Sequence, residues 1–215
     1  LPGLSLTTAL AELSMRHLSS GSARLLGTLA LLLTMGVGVG IGNRCAVLLT
    51  GSVAAPDTVN LPWAWDVPAL LCLWLAFVVL LRASRNQVLW VLFAVGLGYG
   101  GARLGGDLLG PELGAFLGAW LVSASANLLA RWQRQPATVV RMPGLMLLVP
   151  GSLGFRGLTT AVGGDVSASV PFLFEMMFVS AAIVGGLLMA GVLLPPPLDV
   201  DPARVRSALP PPATP

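Results

Sequence analysis

Arg141-Met142-Pro143-Gly144-Leu145-Met146-Leu147-Leu148-Val149-Pro150-Gly151-Ser152 is the stretch on which the fold turns. It is apolar enough for a bilayer, yet it cannot form one regular helix. Pro150 removes a backbone donor and its ring clashes with the turn before it, while Gly151 loosens the residue that follows. Unpaired backbone groups in hydrocarbon cost several kcal/mol each, so a break at this depth needs protein or a water-filled cavity around it. A helix restarting near Gly151-Ser152 would aim free N–H groups and the positive end of its dipole at that cavity. Such an end suits a carboxylate. Ser152 would cap the new helix or bond a substrate; the plainer alternative is a proline kink with a packing role only.

The rest of the chain has the composition of a membrane protein. Of 215 residues, 55% are hydrophobic and 10% charged, against about 25% charged in soluble domains, and mean hydropathy is +0.85. That leaves too little polar surface for a soluble enzyme, a nucleic-acid binder or a disordered chain. The 26 glycines follow no Gly-X-Y period and suit closely packed membrane helices. Six apolar stretches are near the length that crosses about 30 Å of hydrocarbon: 25–42, 63–81, 87–102, 113–130, 142–161 and 171–194. The expected fold is an all-α polytopic helix bundle of about six spans, one broken by Pro-Gly. Residues 51–62 read as an outer loop, and the Pro-rich 195–215 as a disordered tail.

Arginine placement orients the bundle. All 12 basic residues are Arg. Arg16, Arg24, Arg82, Arg85, Arg131, Arg134, Arg141, Arg204 and Arg206 fall in alternate loops, and Arg44, Arg103 and Arg156 in the others, nine against three. The arginine-rich loops are expected in the cytoplasm, with the C-terminus there too, in a multi-pass protein of the cell (inner) membrane. The opening Leu1-Pro2-Gly3-Leu4-Ser5-Leu6 also resembles Met142-Pro143-Gly144-Leu145-Met146-Leu147, and each precedes a Gly-punctuated span, 25–42 or 171–194. Those two spans run in opposite directions. They therefore predict inverted repeats of five spans each, the plan of many secondary transporters. Residues 1–50 would be the end of a first unit (a partly membrane-embedded segment plus one span), and 63–194 the second unit.

Pro2-Gly3-Leu4 through Thr7-Thr8-Ala9-Leu10, followed by Leu18-Ser19-Ser20-Gly21-Ser22-Ala23-Arg24, resembles the close of the first domain of the threonine/serine exporter family. Residues 63–194, with Pro143-Gly144-Leu145 and Val149-Pro150-Gly151-Ser152, resemble its second domain. The resemblance implies export of threonine and serine driven by protons, from one fused chain or two subunits; some relatives are implicated in exporting dicarboxylates such as succinate. The chain departs from the family pattern at Thr8 and Glu12, where Asn and Asp are expected, and at Arg16-His17, where Gly-Asp is expected.

Residues able to carry such chemistry are few. Pro143, Gly144, Pro150, Gly151 and Ser152 would shape the substrate cavity. Arg156, four residues after Ser152, would bind a carboxylate or snorkel to the headgroups. Glu175, among Phe172, Leu173, Phe174, Met176, Met177 and Phe178, would carry the proton, pair with Arg156 or sit near the interface. Glu12 is a second proton candidate beside His17. Ser123 and Asn127 would link helices or line a polar path. Cys45 and Cys72 read as small apolar residues, and one histidine cannot make a His-based metal cluster. With no lysine there is no Walker loop, and Gly151-Ser152 has no general base nearby for a hydrolase. Neither cofactor nor enzyme activity is implied. The expected partners are an amino acid, protons, the lipid bilayer, and either further copies or a second chain supplying the missing spans. A scaffold subunit of a two-part exporter, or a dicarboxylate carrier, is the alternative.

Overall fold

The computed structural model describes residues 2–51, 62–133 and 136–195. The segment 52–61, Arg134, Arg204, Arg206 and the Pro-rich tail beyond 195 lie outside the described residues. The described chain is helical, without strands: α1 (Pro2–Ser14), α2 (Leu18–Thr50), a 3-10 turn at Trp63–Trp65, α3 (Asp66–Leu80), α4 (Val88–Leu109), α5 (Pro111–Gln133), α6 (Thr138–Leu148), α7 (Gly151–Val162) and α8 (Val166–Leu193). Taking α6 and α7 together, five of these segments are long and apolar enough to cross a membrane; α3, with 15 residues, is shorter. The fold is the expected polytopic helix bundle, with some boundaries moved.

Three of those boundaries carry consequences. The first span is not 25–42 but a helix of 33 residues. The third does not stop at 102: α4 continues to Leu109 and so carries Arg103 and Asp107 inside the helix. The fifth is the broken helix. Val149 (φ −58°, ψ 125°) ends α6, Pro150 (φ −78°, ψ 51°) forms the joint, and α7 starts at Gly151. Pro143-Gly144 breaks nothing, since α6 runs through it.

Glycine explains the closeness of α4 and α5, which run antiparallel. A Cβ on Gly101 would lie 2.8 Å from the Cα of Gly118, and one on Gly105 would lie 2.7 Å from the Cα of Gly114. The two backbones therefore touch, as small-xxx-small spacing permits. With Gly101 and Gly105 turned to α5, and Gly98 to α6 and α5, the face of α4 bearing Tyr99, Arg103 and Asp107 is left for other neighbours. Next to α5, Ala115, Ala119, Val179 and Ile183 form a buried core with α8, which runs parallel to α5.

Two helix pairs, α1–α2 and α7–α8, share one register, and it is not the one the Pro-Gly-Leu words suggest. The opening of the chain corresponds to Pro150-Gly151, not to Pro143-Gly144. At a constant separation of 148 residues, Arg16 (φ 63°) matches Gly164 (φ 100°) as the left-handed turn residue. His17 (φ −81°, ψ 69°) matches Asp165 (φ −103°, ψ 79°) as N-cap of the following long helix. The turn hydrogen bonds match too: His17 N to Glu12 O corresponds to Asp165 N to Thr160 O. Burial follows the same register, pairing Leu6 with Gly154, Ala9 with Gly157, Gly21 with Ser169, Thr28 with Met176 and Leu32 with Ser180.

The directions are opposed. Leu32, Gly36 and Gly40 of α2 meet Gly154, Leu158 and Val162 of α7 in turn, so α2 and α7 run parallel while α8 doubles back. Consequently α1 and α7 point away from each other, with their N-termini meeting. A Cβ on Gly3 would lie 2.5 Å from Val149 Cγ1 and 3.0 Å from the Gly151 amide. Residues 2–14 are thus a half-length helix inserted to the depth of the break, with Leu6 and Ala9 buried.

Candidate functional site

The site grows out of the break. Proline at 150 cannot donate and α7 has no side-chain cap; the Gly151 amide donates to the Val149 carbonyl at 2.8 Å, and the amides that follow it start without a cap. Gly151 faces open space, with nothing within 4 Å of where a Cβ would stand. Its neighbours Pro150 and Ser152 line a cleft of about 510 Å³ that runs from the break to the turn between α4 and α5. Tyr99, Arg103 and Asp107 of α4 line one side, Pro150 and Ser152 the floor, and Glu175 of α8 the other side. Leu147, Leu148, Leu153 and Val179 supply the apolar wall. The cleft lies toward the arginine-poor end of the bundle.

Three of the residues singled out in the sequence, Pro150, Ser152 and Glu175, meet in this cleft, with Gly151 between the first two. Ser152 is exposed to it and Glu175 is half-buried. Others lie elsewhere. Pro143 and Gly144 are buried in helix contacts, and a Cβ on Gly144 would lie 2.5 Å from Val122 Cγ1. Arg156 is exposed one turn further along α7, and among the described residues it forms no ion pair with Glu175. Glu12 stands at the α1–α2 hairpin, 2.7 Å from the Arg24 guanidinium. Ser123 is buried in α5 with its hydroxyl unpartnered.

Asn127 has a clear structural task. Its Nδ2 donates to the carbonyl of Leu194 at 2.6 Å, capping the end of α8, and its Oδ1 accepts from Arg141. Arg131 donates to the Pro195 carbonyl at 2.7 Å beside it. These bonds tie α5, α6 and α8 together at the arginine-rich end, opposite the cleft mouth.

Sequence reasoning missed Tyr99, Arg103, Asp107 and Asp66. Arg103 Nη1 donates to Asp66 Oδ2 and to the Tyr99 hydroxyl, and that hydroxyl donates to the same carboxylate oxygen. The spacing of 99, 103 and 107, one turn apart on one face, was the available signal. It was hidden because the glycine run suggested that the helix ends at 102. The arrangement can hold a small polar molecule with both a negative and a positive group: a guanidinium and helix amides for one, two carboxylates for the other.

Comparison with known families places the chain. Residues 69–193 match the family described as Threonine/Serine exporter, ThrE, and residues 1–45 match a second threonine/serine exporter family model. No curated protein and no solved structure matches it.

Proposed function

The chain belongs to the threonine/serine exporter family, and from that premise we propose that it carries threonine and serine outward across the cell membrane through the cleft at the helix break. The observation that carries this reading is the meeting of Ser152, Glu175 and Arg103 around the uncapped start of α7, inside a cleft open toward the arginine-poor end. Helix amides and the dipole favour the carboxylate of an amino acid, and Glu175 and Asp107 favour its ammonium group. Glu175 takes up and releases the coupling proton. Alternating access consists of closing this cleft and opening the opposite end, where the Asn127 bonds to α6 and α8 now hold the bundle shut. The arginine-rich end, with the C-terminus, faces the cytoplasm.

A completing partner, another copy or a second chain, is favoured by α2. Across its most apolar window only 11% of the residues are buried, and Leu26, Leu33, Val37, Ile41, Leu48 and Leu49 are exposed.

Counterflow of labelled threonine in proteoliposomes tests the reading. The expected result is uptake that unlabelled serine suppresses and an imposed pH gradient accelerates, with the acceleration lost in Glu175→Gln. Uptake indifferent to serine would overturn the substrate, and a Glu175→Gln chain with the full response to the gradient would overturn the proton role.

A further inference from the structure

Arg103 belongs to two spaces at once. It lines the cleft at the break, and it also lines a groove of about 250 Å³ between α3 and α4 with Asp66, Val67, Leu70 and Tyr99. Its present acidic partner, Asp66, sits on the groove side, in the first turn of α3. Both hydrogen bonds of this guanidinium leave from Nη1, and its ring neighbour Tyr99 lies with the centroid 5.9 Å away. A guanidinium has five donors and binds a carboxylate best through two parallel bonds. Arg103 is therefore held through one nitrogen, with the rest of its fork free for a second carboxylate.

The charges around the cleft say which molecule that would be. Among the described residues Arg103 is the one cation lining it, against Asp107 and Glu175. One cation facing two acids matches a single carboxylate with an ammonium beside it. A dicarboxylate would bring two negative charges to a site that already holds two. Asp66 stands outside the cleft, at the outer edge of Arg103, where it competes for the same nitrogen.

We propose that Arg103 is the residue that recognises the substrate carboxylate, and that Asp66, steadied by the Tyr99 hydroxyl, holds the guanidinium while the cleft is empty. On binding, the substrate carboxylate takes over the free donors of Arg103, and its hold on Asp66, hence on the start of α3, weakens. This rests on the reading of the cleft as an amino-acid site and adds the selector for zwitterions over dicarboxylates.

Equilibrium binding of labelled threonine to the purified full chain in detergent tests it, with threoninol (the amino alcohol lacking the carboxylate) and succinate as competitors. Arg103→Gln is expected to weaken threonine at least tenfold and leave threoninol unchanged. Asp66→Asn is expected to tighten threonine several-fold, and to have no such effect once Arg103→Gln is present. Succinate is expected to compete poorly against the unmodified chain. If Arg103→Gln does not fold, Arg103→Lys keeps the charge without the fork and is expected to weaken threonine several-fold, again sparing threoninol. Threonine binding left intact by either Arg103 variant, an Asp66→Asn chain that binds no more tightly, or succinate competing as well as serine would overturn the proposal while leaving the amino-acid site standing. An unmodified chain that binds neither threonine nor serine would overturn the function reading and this inference together.

Discussion

Gly114→Ala tests the contact that aims Tyr99, Arg103 and Asp107 at the cleft. A Cβ at Gly114 would stand 2.4 Å from the carbonyl oxygen of Ala102 and 2.6 Å from the amide nitrogen of Gly106, both backbone atoms of α4. Neither can swing aside, so the two helices must separate by about 1 Å to restore ordinary contact. Overpacking of this kind costs about 1–3 kcal/mol, and the helical preference for Ala over Gly returns about 0.5–1 kcal/mol. The net expectation is a loss of about 1–2 kcal/mol. Gly100→Ala is the matched comparison, because it lies on the facing helix, α4, with nothing within 4 Å of its Cβ position. There the preference acts alone and should stabilise by about 0.5–1 kcal/mol. At about 2–4 °C per kcal/mol for a chain of this size, the two variants should melt roughly 3–12 °C apart, read by thermal unfolding in one detergent. The displaced α4 should also weaken threonine binding in Gly114→Ala alone. A Gly114→Ala chain that melts at or above the unmodified protein would refute the backbone contact.

Three further outcomes follow from single features of the bundle. Asn127→Ala leaves the Leu194 carbonyl and the half-buried Arg141 without their partner, which should cost about 2–3 kcal/mol in chemical denaturation; a change under about 0.5 kcal/mol would contradict the capping role. Arg16→Gly relieves a left-handed residue at the position where the second repeat already has Gly164, and should stabilise by about 1 kcal/mol; a loss of stability would mean that the Arg16 side chain matters more than its backbone. The Ala168 amide and the Ser167 hydroxyl hold the Asp165 carboxyl below the usual carboxylate range. Its contribution is therefore fully present above the unfolded value of about 4 and lost as pH falls through the lower folded one. The melting difference between the unmodified chain and Asp165→Ala should persist at pH 6 and shrink progressively below about pH 4; a difference that does not change with pH would contradict that origin.

Much of this was legible in the sequence for local reasons. Proline without a donor at 150, followed by glycine, broke the helix where elementary backbone chemistry says it must. The apolar lengths marked the helices, and the opposed spans indicated inversion. What was hidden depended on contacts between distant segments. The repeat register rests on a shared turn, Arg16-His17 against Gly164-Asp165, in which dissimilar side chains adopt the same backbone, whereas the similar Pro-Gly-Leu words misled. The end of α4 was obscured because glycines that weaken a lone helix are the ones that let it press against α5. Arg103 and Asp107 then look like loop charges until that helix is continued. Asn127 has the polar character of a path-lining residue, and only the placement of the α8 end beside it shows a cap.

The central claim is that substrate sits in the cleft at the start of α7, and Ser152 offers the most direct view of it. Ser152→Cys, in a chain whose exposed Cys45 and Cys72 are replaced by Ser, should react with a maleimide from the arginine-poor side. Saturating threonine or serine should slow that labelling at least several-fold, while succinate should leave it unchanged. Labelling at the same rate with and without threonine, in a chain that still binds it, would place the substrate elsewhere and contradict the account.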